Sequence, residues 1–483
     1  MGILSLLIFL PVIGSIVLLF LPKEKEYHIR AIAFAFTIVT LFTGIRTLIL
    51  FDSSLAGFQL VEIKEWIPNL GAKYHLGIDG ISILLVLLTV FLSPICVLAS
   101  SAITKSVKSF HISLLLLETA MLGVFLSLDV LLFYIFWEFM LIPMAIFIGI
   151  WGSGNRIYAA IKFFLFTMAG SVFLLFGLIA LYIIHYKHTG ILSLYLPDFY
   201  NTHSHLGKLF FLFISFGFAI KVPLWPFHTW LPDAHTEAPT AGSVILAGIL
   251  LKMGVYGFLR IAIPVFPEES QYFAPYILGL SIIGIIFGGL VAMKQSDVKR
   301  LVAYSSVSHL GFVMLGVFSF NLQGITGSII QMINHGINTG LLFLLVGMIY
   351  ERRHTREIAD INGLAVSMPR YSSIFVITTL ASMALPGTNG FIGEFLCLVG
   401  GFKYNPLSGF LASLGVIVSA MYLLLVNQKV IFGRPTGNNV NLKDLSIREW
   451  IVLVPLVSFI FLIGLYPLPF IKLIETTILE YVK

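Results

Sequence analysis

Apolar runs of about 20 residues, the length that crosses a hydrocarbon core as a helix, recur along nearly the whole chain. They fall near 2–21, 29–50, 79–99, 109–128, 130–150, 157–185, 208–230, 239–264, 272–293, 299–319, 325–349, 371–402, 407–432 and 447–472. The pattern predicts an all-α polytopic membrane protein with about fourteen transmembrane helices. Its faintest boundary is at Asp129, between the fourth and fifth runs. One connection, 51–78, is long and holds Trp66 and Pro68, with no obvious chemistry. The charges nearest the first run (Lys23, Glu24, Lys25, Glu26) follow it. A cleavable signal peptide carries positive charge first, so this run is expected to remain as helix one.

Proline interrupts two runs. In the seventh, Lys221 precedes Pro223 and Pro226; in the twelfth, LPGTNGFIGEF (385–395) holds Pro386, Gly387, Gly390 and Gly393. Proline lacks an N–H and crowds the carbonyl four residues back, so the carbonyls of Ala219 and Ser382 should be freed. Backbone broken at membrane depth is tolerated only where protein or a water-filled cavity satisfies it. Helices four to eight (109–264) and nine to thirteen (272–432) would each form a unit of five with the broken helix fourth. Helices one to three (1–108) precede them, and helix fourteen with its tail (447–483) follows. Five is odd, so the two units insert in opposite senses. Paired broken helices in an inverted repeat point to a transport path. This repeat rests on spacing alone, since the halves share no letter-by-letter similarity.

With 58% hydrophobic and 11% charged residues, the composition is that of no soluble domain. The net charge of +6 is scattered over loops and offers no cluster for nucleic acid. Cys96 and Cys397 lie in separate runs with no C-x-x-C, which leaves no basis for an iron–sulfur cluster, a zinc ribbon or a disulfide framework. Nucleotide-binding glycine patterns are absent too. Connections after odd-numbered helices hold 18 basic residues, Lys162 and Lys299 among them. Those after even-numbered helices, with the tail, hold 9, among them Arg260 and Lys483. Basic loops stay in the cytoplasm, so both termini should face outward.

Against this apolar background six polar residues stand out: Glu138 in helix five, Lys221 in seven, Lys252 in eight, His309 in ten, His335 in eleven and Glu394 past the break in twelve. The first five fall roughly midway through a ~30 Å core at ~1.5 Å per residue. A lone ionised group there costs about 2.5–3.5 kcal/mol on insertion scales, so such residues mark ion or proton pathways. Burial weakens a lysine's hold on its proton and a nearby carboxylate strengthens it. A Glu138–Lys221 contact would therefore hold the proton, and its separation would send it to Lys252. His309 and His335 could relay it, histidine titrating near pH ~6.5, to Glu394 as a terminal acceptor with access to water. Any one residue could instead be a static interhelix pair, and a structural hydrogen bond is an equal alternative for either histidine. Glu118, in helix four, extends the path or pairs statically, the second being preferred. His228, Asp233, His235 and Glu237 superficially resemble metal ligands, but a structured segment sealing the cytoplasmic end is the better reading. No metal site is expected.

The stretches FWEFMLIPM (136–144), KVPLWPFHTWLPDAHTEAPTAGSVILAGILLKMGVYG (221–257), SSVSHLGF (305–312) and LPGTNGFIGEF (385–395) resemble the antiporter-like membrane subunits of respiratory complex I, over nearly all fourteen helices. The family's glutamate in helix five and lysines in seven and eight fall on Glu138, Lys221 and Lys252. Glu394 stands where sister subunits L and N and the cation/proton antiporter subunits usually carry lysine, which is similar to the M branch and its mitochondrial counterpart. The resemblance implies a proton-pumping role without redox chemistry, in an energy-transducing membrane, most simply the bacterial inner membrane. FMN, iron–sulfur clusters and quinone would belong to partner subunits, and neighbours would include L and N. A cation/proton antiporter subunit and a photosynthetic complex I-like subunit are the related alternatives. A purely structural membrane scaffold is the rival from another class.

Overall fold

The computed structural model describes residues 2–200 and 205–482. Its helices and strands run α1 (Ile3–Phe20), α2 (Glu26–Leu50), β1 (Gln59–Ile67), β2 (Ala72–Ile78), α3 (Gly80–Ala102), α4 (Val107–Leu126), α5 (Val130–Trp151) and α6 (Arg156–Thr189). A broken seventh helix follows, α7a (Gly207–Lys221) and α7b (Trp230–Glu237), then α8 (Thr240–Val265), α9 (Pro267–Met293), α10 (Val298–Val317) and α11 (Leu322–Arg353). A second broken helix, α12a (Pro369–Ser382) and α12b (Asn389–Tyr404), precedes α13 (Pro406–Ile431), α14 (Ile447–Leu465) and a terminal α15 (Leu468–Val482). Among the described residues, twelve helices are long and apolar enough to cross a membrane. With the two broken helices they make the expected fourteen.

Short acidic caps start several helices. Asp129 accepts from Leu131 N at 2.9 Å and Leu132 N at 3.1 Å, which fixes the faint boundary before α5. Asp79 and Asp297 cap α3 and α10 in the same way. Inside α5 the helix is interrupted at Met140, between Val130–Phe139 and Leu141–Trp151. Pro143 has no N–H to offer the Phe139 carbonyl, and the interruption falls between them.

Burial separates the helices into two groups. The apolar windows of α8 and α11 are 100% buried, whereas those of α2 and α14 are 33% buried and face outward. α8 packs on α3 and α11, and α11 on α12b. The centre of the molecule is thus built from the two helices that carry Lys252 and His335.

Several expectations need correction. The 51–78 connection is an antiparallel hairpin, β1 with β2, so the protein is not wholly helical. Glu62 on β1 accepts from Leu4 N at 2.7 Å and Ser5 Oγ at 2.5 Å, and so caps the start of α1. The fourteenth run stops at Leu465: Tyr466 precedes a proline and takes φ −136°, ψ 68°, outside the helical region. The chain then turns into α15, which packs across α3 and α11. Thr476 Oγ1 of α15 donates to Ser53 O at 2.7 Å, so the hairpin region, α15 and the start of α1 share one side of the bundle.

Three charges counted as loop residues belong to helices. Arg260 is 5% exposed within α8, Lys299 is 7% exposed within α10, and Lys162 lies in α6. They report on packing rather than orientation. Lys483 lies outside the described residues. The Ala219 carbonyl is not freed either; it accepts from Leu224 N at 2.9 Å. The neighbouring carbonyl of Ile220 is taken by the Trp230 indole N–H at 2.9 Å. The broken helix is therefore closed by its own second half, as a dry interior requires.

Trp230→Phe keeps most of the ring volume and leaves the buried Ile220 carbonyl unpaired. It is expected to cost about 1–3 kcal/mol of stability, read as a lowered melting temperature of the detergent-solubilised protein. An unchanged melt would mean that the indole does not close the break.

Candidate functional site

The buried polar residues form a line through the core, continuous over part of its length. Lys252 is 0% exposed on α8; its Nζ donates to the Ala247 carbonyl and to His335 Nδ1, the latter at 2.7 Å. With Nδ1 accepting, a neutral His335 carries its proton on Nε2. The His335 and His309 rings lie 5.9 Å apart between centroids. His309 Nδ1 donates to Glu394 Oε1 at 2.7 Å, and Tyr422 OH approaches His309 Nε2 at 3.4 Å. Gln331 Nε2 donates to the same Glu394 oxygen at 2.9 Å. Lys252, His335, His309 and Glu394, from four different helices, thus meet in sequence.

Between the two histidines is a cavity of about 10 Å³, lined by His309, Gln331, His335, Asn338 and Ser382 among others. That is about the room one water needs. Its neighbours carry buried polar atoms with no partner: His335 Nε2, Gln331 Oε1, Asn338 Oδ1 and Glu394 Oε2. The amide side chains were not anticipated. Gln331, Asn334, His335 and Asn338 recur at three- and four-residue spacing, which puts them on one face of α11. Read with His335, that spacing was a legible signal.

The other end of the line is open-jointed. Lys221 is 2% exposed at the end of α7a. Its Nζ donates to Met140 Sδ at 3.3 Å and sits 5.3 Å from the Trp137 ring centroid and 5.8 Å from that of Phe163. These contacts are a cation held by aromatic faces and a soft sulfur. Glu138 instead accepts from Ser171 Oγ of α6. Among the described residues, no ion pair joins Glu138 to Lys221 and no hydrogen bond joins Lys221 to Lys252. The interruption at Met140 supplies Lys221's acceptor, a role that no sequence pattern announced.

Three further expectations are revised. Glu394 is 1% exposed, so in this conformation it has no access to solvent. Glu118 is also 1% exposed, and among the described residues no ion pair reaches it, so the preferred static pairing with a charged partner is not formed. The segment after the seventh break divides in two. Asp233 is tied to α6 and α10 by ion pairs, to Lys162 at 2.6 Å and Arg300 at 3.6 Å. His235 turns inward, 0% exposed, stacked on Phe343 of α11 at 4.8 Å with both ring nitrogens unpartnered. Lys299, which donates to the Ala238 carbonyl, and Lys252 are both close enough to act on it electrostatically. Among the described residues, no three His, Cys, Asp or Glu side chains are grouped so as to hold a metal ion.

A bundle of this kind, with paired broken helices and a buried Lys/His/Glu line, is a membrane ion-translocating architecture. The family described as NADH:quinone oxidoreductase/Mrp antiporter, TM, matches residues 127–421, and the chain belongs to that family. A protein of Rickettsia bellii named NADH-quinone oxidoreductase subunit M is 46% identical over 96% of this chain and 95% of its own length. NADH-ubiquinone oxidoreductase chain 4 of Marchantia polymorpha is 44% identical over 99% of this chain and 97% of its own. A chain of respiratory complex I from Thermus thermophilus superposes with TM-score 0.90 at 32% identity, covering 99% of each. A chain of the Mrp complex from Dietzia shares the fold, with TM-score 0.87 at 19% identity over 100% and 98% of the two chains.

The His309–Glu394 contact is testable by a double-mutant cycle. His309→Gln, Glu394→Gln and the double variant should show a coupling of about 1.5–3 kcal/mol in thermal stability, as for a buried hydrogen bond to a charged group. Strict additivity would mean that the two side chains do not meet.

Proposed function

We propose that this chain is the proton-translocating membrane subunit of an NADH:quinone oxidoreductase. The observation that carries the proposal is the line in which Lys252 is hydrogen-bonded to His335, the His335 ring lies beside that of His309, and His309 is hydrogen-bonded to Glu394. Relatives named as subunit M along nearly the full length support it. Helices α4–α8 and α9–α13 would act as two inverted units, with the Lys252–His335 bond as their junction. The chain takes no part in electron transfer, which belongs to partner subunits holding FMN, iron–sulfur clusters and quinone. Its neighbours in the membrane are the sister subunits L and N. The hairpin side faces outward, following the excess of basic residues on the other side.

In mechanistic terms, a proton enters from the cytoplasmic side past Lys299 and His235. Lys221 holds a charge among Trp137, Phe163 and Met140, and Glu138 controls it from a distance. When Glu138 leaves Ser171 and approaches, Lys221 is held protonated; when it withdraws, the positive charge repels the proton on Lys252. That proton passes to His335, across the small cavity to His309, and on to Glu394. Histidine suits both relay positions because one nitrogen can accept while the other donates.

Lys221→Ala should abolish most NADH-driven proton uptake in membrane vesicles, by about 10-fold or more, a scale typical of losing one proton-transfer group. Lys221→Arg should fail as well, because a guanidinium does not release its proton. Glu138→Gln should nearly match Lys221→Ala, and Glu138→Asp should keep partial activity. Native electrophoresis must show the variants assembled. Loss of assembly would favour a scaffold role, and near-normal pumping with either neutral variant would contradict the relay.

A further inference from the structure

The line has a second neighbour that the proposed route does not use. A cavity of about 780 Å³ lies on the hairpin side, bounded by the end of α8, the start of α3, the approach to β1 and the end of α15. Its rim includes Gly57, Gln271 and Glu480, all exposed. Its inner wall is an ion pair: Arg260 Nη2 to Asp79 Oδ1 at 2.6 Å, the two residues 5% and 3% exposed. The Tyr481 hydroxyl, on another wall, is buried without a hydrogen-bond partner.

Behind the ion pair, α8 leads directly to the line. Lys252, Tyr256 and Arg260 follow at four-residue spacing, which keeps them on one side of the helix. Arg260 Nε donates to Tyr256 OH at 3.2 Å, and that hydroxyl donates to the Phe125 carbonyl at 3.1 Å. From Lys252 to Arg260 the rise is about 12 Å. By contrast, Glu394 is 1% exposed, and the cavity beside its partners His309 and Gln331 measures about 10 Å³.

We propose that the cavity is a water-filled vestibule serving Lys252, and that the Asp79–Arg260 pair with Tyr256 is the gate between them. The proposal rests on the relay reading and adds to it an outlet that does not pass through Glu394. Arg260 cannot carry the proton, because a guanidinium does not give one up. It acts instead as a positive charge held by Asp79 between Lys252 and the cavity, the kind of charge that keeps protons from crossing aqueous pores. Asp79 holds that charge in place while also capping α3 through Ile81 N and Ser82 N, each at 3.1 Å. Tyr256 is pinned between Arg260 and Phe125: its oxygen lone pair accepts from Arg260 Nε and its hydrogen is given to the Phe125 carbonyl while the gate is shut. When Arg260 swings toward the vestibule, that lone pair is freed, and the hydroxyl can turn from Phe125 to donate to vestibule water while it accepts from Lys252. An N–H bond of the Lys252 ammonium then breaks, the amine is left neutral, and the proton adds to vestibule water. Nothing is oxidised or reduced.

Removing one partner of a buried ion pair leaves the other uncompensated and can prevent assembly. The test therefore uses the paired neutral variant Asp79→Asn with Arg260→Gln, in the assembled complex in sealed vesicles. Passive proton leak should rise severalfold, because neither the guanidinium nor the carboxylate that anchors it then closes the passage between Lys252 and the vestibule. Adding Lys252→Met should abolish the leak. A paired variant that assembles and stays as proton-tight as the parent overturns the gate. Tyr256→Phe, which keeps the ring, should slow NADH-driven proton uptake severalfold with assembly unchanged; full uptake also overturns it. Gln271→Cys, at the rim and off the line, should react from the hairpin side with a charged, membrane-impermeant thiosulfonate, since Cys96 and Cys397 are buried. Protection of that cysteine in the assembled complex would mean that protein or lipid fills the cavity, and would overturn the vestibule. Lys252→Met alone separates the two readings. If it leaves pumping intact, the relay itself fails; if it stops pumping while the paired variant stays tight, only the gate fails.

Discussion

The hydrogen bond between Lys252 and His335 is the contact on which the rest of this structure depends. An amine and an imidazole buried in a membrane protein have few acceptable partners, and here each takes the other as one, at 2.7 Å. To meet, they need α8 and α11 side by side at the centre, shielded on all sides. That requirement explains the layout. Apolar helices such as α2 and α14 form the outer wall, and the polar helices occupy the interior where their side chains can be answered.

The broken helices follow from the same constraint. A break frees backbone groups, and each one must be answered locally. In the seventh helix Trp230 answers Ile220, and the break sets Lys221 at a helix end against Met140. In the twelfth, Asn334 Nδ2 donates to the Asn389 carbonyl at 2.6 Å, which ties the break to the polar face of α11. The interruption in α5 is smaller but does similar work, turning a methionine sulfur toward the Lys221 amine. Broken backbone and functional side chains coincide because the groups that repair a break are polar and already inside.

Much of this was legible in the sequence. Fourteen runs, two proline breaks, and Lys252, two histidines and Glu394 as polar groups inside them could be read from residue type and depth; that His335 meets Lys252 and His309 meets Glu394 could not. Glu138 and Lys221 were legible as residues but not as a pair: their separation depends on which neighbour, Ser171 or Met140, lies nearer, and that is settled by packing between distant segments. The 51–78 hairpin escaped because β1 is largely exposed and β2 largely buried, so neither strand shows a clean apolar alternation. Arg260 was misread as a loop charge for a similar reason. It lies near the end of an apolar run, and only Asp79, 181 residues away, shows that it is held inside. α15 escaped because one apolar run continued through Tyr466, and only backbone geometry before Pro467 divides it.

The central claim is that protons move along the line that ends at Glu394. Infrared difference spectroscopy of the assembled complex, recorded on addition of NADH, reads that directly in the carboxyl C=O stretching region. The account predicts a band from a glutamate changing protonation during turnover that shifts in heavy water and is absent in Glu394→Gln. A difference spectrum identical in the parent and in that variant would contradict it.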